Sequence, residues 1–313
     1  MRIYHHLADV PAALPATAVT IGNFDGVHKG HQALLHRVFE LARQPLVESL
    51  VMTFDPHPVQ VLRPDQNLRR LLPLSESAER LKMAGVEHLF VVPFSREFSQ
   101  LDPAEFFNSY LSRPLKPRAI IVGHDFSFGA NRAGHFENLK LLGQPLGIHV
   151  EQLGPVLMKG EPVSSSRIRR AIAEGQVELA HELLGYPFFI RGMVEKGFAR
   201  GRQIGFPTAN LRVFGETLPF TGVYLTRSFV NGESYWSVTN IGVNPTFKGK
   251  SEFVPVKVES HLLDFAGDLY GSDMKLEFWQ RLREEKKFRS VSELRTQIEE
   301  DVEWARKNLK KLI

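Results

Sequence analysis

Along the chain, the pattern of apolar and polar positions falls into two textures. In the first half, short apolar runs alternate with stretches of helical period. TAVTIG (17–22) reads as a strand ending in Gly22, and HQALLHRVFELARQ (31–44) sets Leu34, Leu35, Val38, Leu41 and Ala42 on one helical face. LVESLVMTF (46–54), EHLFVVPF (87–94), RAIIVG (118–123) and GIHVEQL (147–153) read as further strands. Between them, SESAERLKMAG predicts a helix from Ser75 to Gly85, and DPAEFFNSYL one capped by Asp102 with Pro103 in its first turn. Two short helices, SSSRIRRAIAEG and VELAHELLG, close this half. Strand–helix alternation of this kind predicts a parallel, doubly wound α/β sheet.

After about residue 186 the texture becomes all-β. FIRGMVEKG, GVYLTRSF, ESYWSVTNIG, FVPVKVESHLLDF and MKLEFW are strand-like runs separated by Gly, Pro and Asn, and Asn231-Gly232 signals a hairpin. A small barrel is expected. A last helix begins at Ser290 with Glu293 as a capping-box partner and carries the stripe Leu294, Ile298, Val302, Ala305, Leu309. The change of texture divides the chain into residues 1–185 and 186–313.

Composition adds bounds. The 313 residues suit two domains, and 43% apolar with 24% charged residues is ordinary for a globular protein. Lys plus Arg is 39 and Asp plus Glu 35, a formal charge of +4 that suits anionic ligands without demanding nucleic acid. The absence of cysteine excludes disulfides, thiolate metal sites and cysteine nucleophiles. MRIYHHLADV lacks the apolar core of a signal peptide, and no apolar run reaches a membrane span, so a cytoplasmic protein is expected. Neither nucleic acid nor a membrane is expected as a partner, and the sequence leaves a homo-oligomer open.

The chemistry-bearing segments follow strands, where ligands of open α/β sheets bind. GNFDGVHKGH (22–31) is the densest: Gly22, Gly26 and Gly30 permit close backbone approach, a helix is expected to begin near His31, and its N–H groups would face an anion. His28 and His31 can donate to triphosphate oxygens, although an HxxH pair alone reads more readily as two surface histidines, and it is the strand before and the helix after that favour phosphate binding. Ser164, Ser165, Ser166 and Arg167 form a second possible phosphate clamp, or simply a capped helix with solvated arginines. Asp125 in GHDFSFG can orient a ribose or a phosphate-bound water, and Phe54, Phe126 and Phe128 offer an apolar wall or ordinary core. In the second half, Gly197, Gly201 and Gly205 lie in EKGFARGRQIGFPTANL, a phosphate-approachable loop or a turn. Thr208 and Asn210 then share one face of an extended chain. Glu259 and His261 likewise face one way, so Glu259 is a base or an exposed strand residue.

Taken together, GxFDGxHxGH, TFDPHP, GxDFxFG and the SSSRIR helix start resemble the bacterial bifunctional riboflavin kinase/FMN adenylyltransferases (FAD synthetases). GFPTAN, GVY, TNIGVNPTF, VESHLLDF and LREEKKF resemble that family's kinase module. The resemblance implies a Rossmann-like nucleotidyltransferase domain and a six-stranded Greek-key barrel with a C-terminal helix. It implies phosphorylation of riboflavin by ATP to FMN and ADP, then adenylylation of FMN by ATP to FAD and pyrophosphate, with Mg²⁺. By the same resemblance, His28 and His31 are catalytic, and Gly22, Asn23, Phe24, Asp25, Gly26, Gly30, Asp125 and Ser164–Arg167 complete the first ATP site. His57, Pro58 and Phe128 are implied on its flavin side. In the kinase, the resemblance assigns Gly197, Gly201, Gly205, Thr208 and Asn210 to ATP, Thr208 and Asn210 to the metal, Glu259 to the general base, and Arg283 and Glu285 to flavin.

Overall fold

The computed structural model describes residues 1–197, 200–213, 217–243 and 256–309. The expected NPTF segment and the Phe253–Pro255 end of one expected strand lie outside the described residues. Two compact units emerge, Met1–Ser165 and Ser166–Ile313.

The first unit contains strands β1 (Arg2–Tyr4), β2 (Ala16–Ile21), β3 (Val47–Asp55), β4 (His88–Pro93), β5 (Pro117–Gly123) and β6 (His149–Leu153), and a two-stranded β7 (Leu157–Met158) and β8 (Glu161–Pro162). Its helices are α1 (Lys29–Ala42), α2 (Pro58–Leu62), α3 (Leu74–Met83), α4 (Pro103–Phe106), α5 (Arg113–Leu115) and α6 (Phe136–Gly143). The six main strands are parallel in the order β1-β4-β3-β2-β5-β6. Strand order reverses at β2, which pairs with β3 on one side and β5 on the other. The crevice of a doubly wound sheet opens at such a point, beyond the C-terminal strand ends. Gly22 follows β2 there, and His124 and Asp125 follow β5.

Local chemistry explains several helix starts. Asp102 caps α4, its Oδ1 accepting from Ala104 N at 2.8 Å, and the helix continues through a π turn at Phe107–Ser112. Three departures from expectation stand out. Helix α1 starts at Lys29 rather than near His31, because the His28 side chain serves as its N-cap. Helix α3 starts after Pro73, whose fixed φ suits a helix entry, so Ser75 lies inside the helix. Strand β1 and helix α6 had no readable signal, the strand being only three residues long.

The second unit holds α7 (Ser165–Ala173, its first residue closing the first unit), α8 (Val177–Leu184), β9 (Phe189–Glu195), α9 (Arg200–Gln203), β10 (Ala209–Arg212), β11 (Gly222–Val230), β12 (Glu233–Val243), β13 (Val256–Leu262), β14 (Asp273–Arg283) and α10 (Val291–Asn308). The strands close into an antiparallel barrel in the order β10-β13-β12-β11-β14-β9. The β11–β12 hairpin turns on Asn231 (φ 51°) and Gly232 (φ 81°), the left-handed pair that a tight hairpin requires. Helix α10 is capped by Ser290, whose Oγ accepts from Glu293 N at 3.1 Å. The Glu293 carboxylate reaches Arg289 N (2.9 Å), one residue before the position a capping box uses. Val302, Ala305 and Leu309 of the expected stripe cluster with Val223, Leu225, Val238 and Leu263 of the barrel wall.

Candidate active site

In the first unit, the loop after β2 is built from inward-facing parts. Phe24 is fully buried and Val27 nearly so, both in left-handed backbone at φ 47° and 37°, with Gly26 at φ 82° between them. A left-handed L-residue costs roughly 1–2 kcal/mol, so neighbours must hold this turn. The Asp25 carboxylate does part of that work: Oδ1 accepts from Leu71 N at 2.9 Å and Leu72 N at 3.3 Å. The loop is also tied to β3, where Thr53 Oγ1 donates to Asn23 O at 3.1 Å and Gly22 N to Met52 O at 3.1 Å.

The loop delivers the two histidines to the start of α1. His28 Nδ1 accepts from His31 N at 3.3 Å, which leaves the ring proton of a neutral His28 on Nε2. The two rings stack at 3.7 Å, and Phe24 packs on His31 at 4.7 Å. Burial holds the His31 imidazole well below the ordinary histidine range, and the adjacent His28 pushes the same way. His31 Nδ1 is sealed from solvent without a hydrogen-bond partner among the described residues. Gly30 lets the helix start lie close against the His28 ring, which a Cβ there would crowd at 3.1 Å. A helix N-terminus beside these two imidazoles suits a polyphosphate anion.

The neighbouring segments converge unevenly. Ser165 Oγ donates to Asp25 O at 2.9 Å, which brings the serine segment to the loop through Ser165. Ser164 also belongs to the first unit, whereas Ser166 and Arg167 fall in the second. Asp125 is exposed at the end of β5, where Phe126 N closes a turn on Gly123 O. His57 is buried and caps α2, its Nδ1 accepting from Val59 N at 3.1 Å, with Pro58 as first helical residue. Phe126 and Phe128 stack at 5.4 Å, and Phe128 packs on Phe106. Phe54 joins the same aromatic cluster through Phe98. Phe128 is mostly core, leaving the half-buried Phe54 and Phe126 as the accessible faces. Gly134, which carried no sequence signal, is needed for this arrangement: a Cβ there would meet the Phe128 ring at 2.8 Å.

In the barrel, register assembles the second group. Glu259 of β13 stands opposite Asn210 of β10 on one side and Asn240 of β12 on the other. Directly opposed residues share a face with Cβ atoms about 4.5–5.5 Å apart. Thr208, Asn210, Glu259 and Asn240 are all half-buried. His261, on the same face, is held by Pro207 O at 2.8 Å. Gly197 and Gly201 are crowded positions: a Cβ would come within 2.3 Å of Asn210 Nδ2 and of Phe206 O respectively, while Gly205 is a turn glycine at φ 91°. Beside Thr208 a cavity of about 260 Å³ is lined by Val194, Pro207, Leu262, Phe265 and Tyr270. Phe265 and Tyr270 were not singled out in the sequence; the turn-rich LDFAGDLYG stretch after β13 was the available signal.

Arg283 ends β14 and makes a bidentate ion pair with buried Asp301 of α10, Nε–Oδ1 3.0 Å and Nη2–Oδ2 2.7 Å. Its guanidinium is thus engaged within the protein. Glu285 lies near the Glu259 row: a Cβ at Gly242 would meet Glu285 Oε1 at 2.6 Å and Asn240 Nδ2 at 3.2 Å. Asn240 is a further residue that the sequence does not single out, since only strand register reveals its neighbour.

The FAD synthetase family model matches residues 10–167, and the riboflavin kinase family model matches residues 184–309. A bifunctional riboflavin kinase/FMN adenylyltransferase of Pseudomonas fluorescens is 42% identical over 92% of this chain and 91% of its own. The Bacillus subtilis (strain 168) enzyme of the same name is 39% identical over 96% and 94%. Among solved structures, a macrolide-efflux protein from Streptococcus pneumoniae superposes with a TM-score of 0.89 and 34% identity, covering 97% of this chain and 98% of that one.

Proposed function

The chain belongs to the bifunctional riboflavin kinase/FMN adenylyltransferase family, and from that premise we propose that it makes FMN from riboflavin and then FAD from FMN, with residues 1–185 and 186–313 as the two catalytic modules. The observation that carries this reading is that the two family models match different parts of the chain.

In adenylyl transfer, an FMN phosphate oxygen attacks the α-phosphorus of ATP and the bond to pyrophosphate breaks. Negative charge grows on the α-phosphate oxygens and the leaving group. The N–H groups at the start of α1, the fixed Nε2–H of His28 and the neutral His31 ring are donors placed before the reaction, which lowers the barrier with no covalent intermediate. Asn23, Gly22 and Gly26 shape the loop, Asp125 faces the ribose, and Ser164–Arg167 receive phosphate. His57 and Pro58 border the flavin, with Phe128 behind Phe126.

In the kinase, the riboflavin primary hydroxyl attacks the γ-phosphorus, ADP leaves, and Glu259 takes the hydroxyl proton. Thr208 and Asn210 bind the triphosphate, and the cavity lined by Phe265 and Tyr270 takes the adenine. Arg283 and Glu285 border the flavin. A hydroxyl and an amide oxygen are hard donors that suit Mg²⁺, which is usually held by a few protein oxygens plus substrate phosphates and neutralises their charge. The pneumococcal neighbour carries an efflux name. A helical transporter needs apolar spans of about 20 residues, and no helix among the described residues is long and apolar enough to cross a membrane.

Paired substitutions test the assignment. His28→Ala with His31→Ala should lower FAD formation from FMN by about 100-fold or more and leave FMN production within twofold of the parent. Glu259→Gln should do the reverse, with FMN formation falling by about 100-fold or more. Equal loss of both activities in a folded variant would contradict the division of labour.

A further inference from the structure

Asp25 is an odd residue to find in a polyphosphate loop. A carboxylate exposed there would repel the triphosphate, yet this one is only 2% exposed and faces the protein. Its oxygens accept from Leu71 N (2.9 and 3.2 Å) and Leu72 N (3.3 Å), and its backbone carbonyl accepts from Ser165 Oγ at 2.9 Å. One residue therefore joins the histidine loop to two segments distant in sequence. It also sits among the left-handed residues Phe24, Gly26 and Val27, in the turn that leads into the His28 cap. Conformations of that kind persist only where surrounding bonds fix them.

We propose that Asp25 is the positioning residue of the adenylyl-transfer site: anchored on the Leu71 and Leu72 N–H groups, it holds the 24–27 turn so that His28 and the start of α1 meet the triphosphate, and it does not itself touch ATP. The inference rests on the adenylyltransferase reading above. A carboxylate suits the task because both oxygens accept. An asparagine offers one acceptor and turns an NH₂ group toward N–H donors, leaving buried groups unpaired.

The test compares Asp25→Asn and Asp25→Glu with the parent in the full-length protein, measuring FMN adenylylation, riboflavin phosphorylation and the folded fraction by circular dichroism. The Asn variant should lose at least 30-fold in kcat for FAD formation with a raised ATP KM. Its FMN KM and its riboflavin kinase rate should stay within twofold. Glu, which keeps both acceptors but displaces them by one methylene, should recover part of that loss. A purely architectural role would instead lower activity only in proportion to the unfolded fraction, with KM unchanged, and that result overturns the proposal. So does an Asn variant within threefold of the parent in kcat/KM for ATP. If the Asn variant fails to fold, the Glu variant decides: about tenfold slower adenylylation supports the proposal, and the parental rate contradicts it. A parent protein that makes no FAD from FMN would defeat the functional reading first, and this inference with it, before any substitution is made.

Discussion

His31 is held neutral by its surroundings, and that has a measurable cost in acid. Its folded pKa lies well below the ordinary 6.5, chiefly through burial. Above 6.5 the ring is neutral folded or unfolded and contributes no pH dependence. Below it the unfolded chain binds a proton that the folded ring refuses, so stability falls as pH drops from 6.5 toward the lowered folded value. Replacing His31 with Gln should flatten that part of a stability–pH profile measured by urea unfolding; an unchanged slope would contradict the assignment. The candidate site residues were unevenly legible. The two histidines announced themselves through spacing between a strand and a helix. The inward turn of the Asp25 carboxylate did not, because a loop sequence does not show which way its side chains face. Asn240 was invisible because its partner Glu259 is set by strand register alone.

Among elements, the strands and most helices followed from period and capping signals, and the misplacements have physical reasons. A histidine side chain capped α1, a job usually assigned to Ser, Thr, Asp or Asn. The barrel wall was harder to orient because its interior is partly polar. Thr226, Ser228, Ser237, Thr239 and Ser260 are fully buried and bond one another, Thr226 Oγ1 to Ser237 Oγ at 2.7 Å and Thr239 to Ser260 at 2.9 Å, while Leu225 and Val238 face Ala305 of α10. Ordinary apolar-in alternation is thus inverted over much of β11 and β12. Ser237→Ala should destabilise the barrel by about 1–3 kcal/mol, because it leaves buried hydroxyls short of a partner; a change below about 0.5 kcal/mol in denaturant unfolding would argue against the network. The α10 contact is tested by Asp301→Ala. It strands Arg283 in a poorly solvated place and should cost about 3–5 kcal/mol, with the kinase affected before the adenylyltransferase.

At the scale of the whole molecule, two folds with different strand logic each match one of the two family models. The parallel sheet sets its candidate site where strand order reverses, and the barrel sets its candidate site across neighbouring strands. The sequence texture made both architectures readable, while the strand order within each sheet depended on long-range pairing that no local pattern encodes. The central claim is that one chain performs consecutive reactions on one flavin. The most direct measurement is a time course with riboflavin, excess ATP and Mg²⁺, following flavins and released phosphates by chromatography. FMN should appear first and then give way to FAD, with one ADP and one pyrophosphate released for each FAD formed. Accumulation of FMN with no FAD and no pyrophosphate, or unchanged riboflavin, would contradict it.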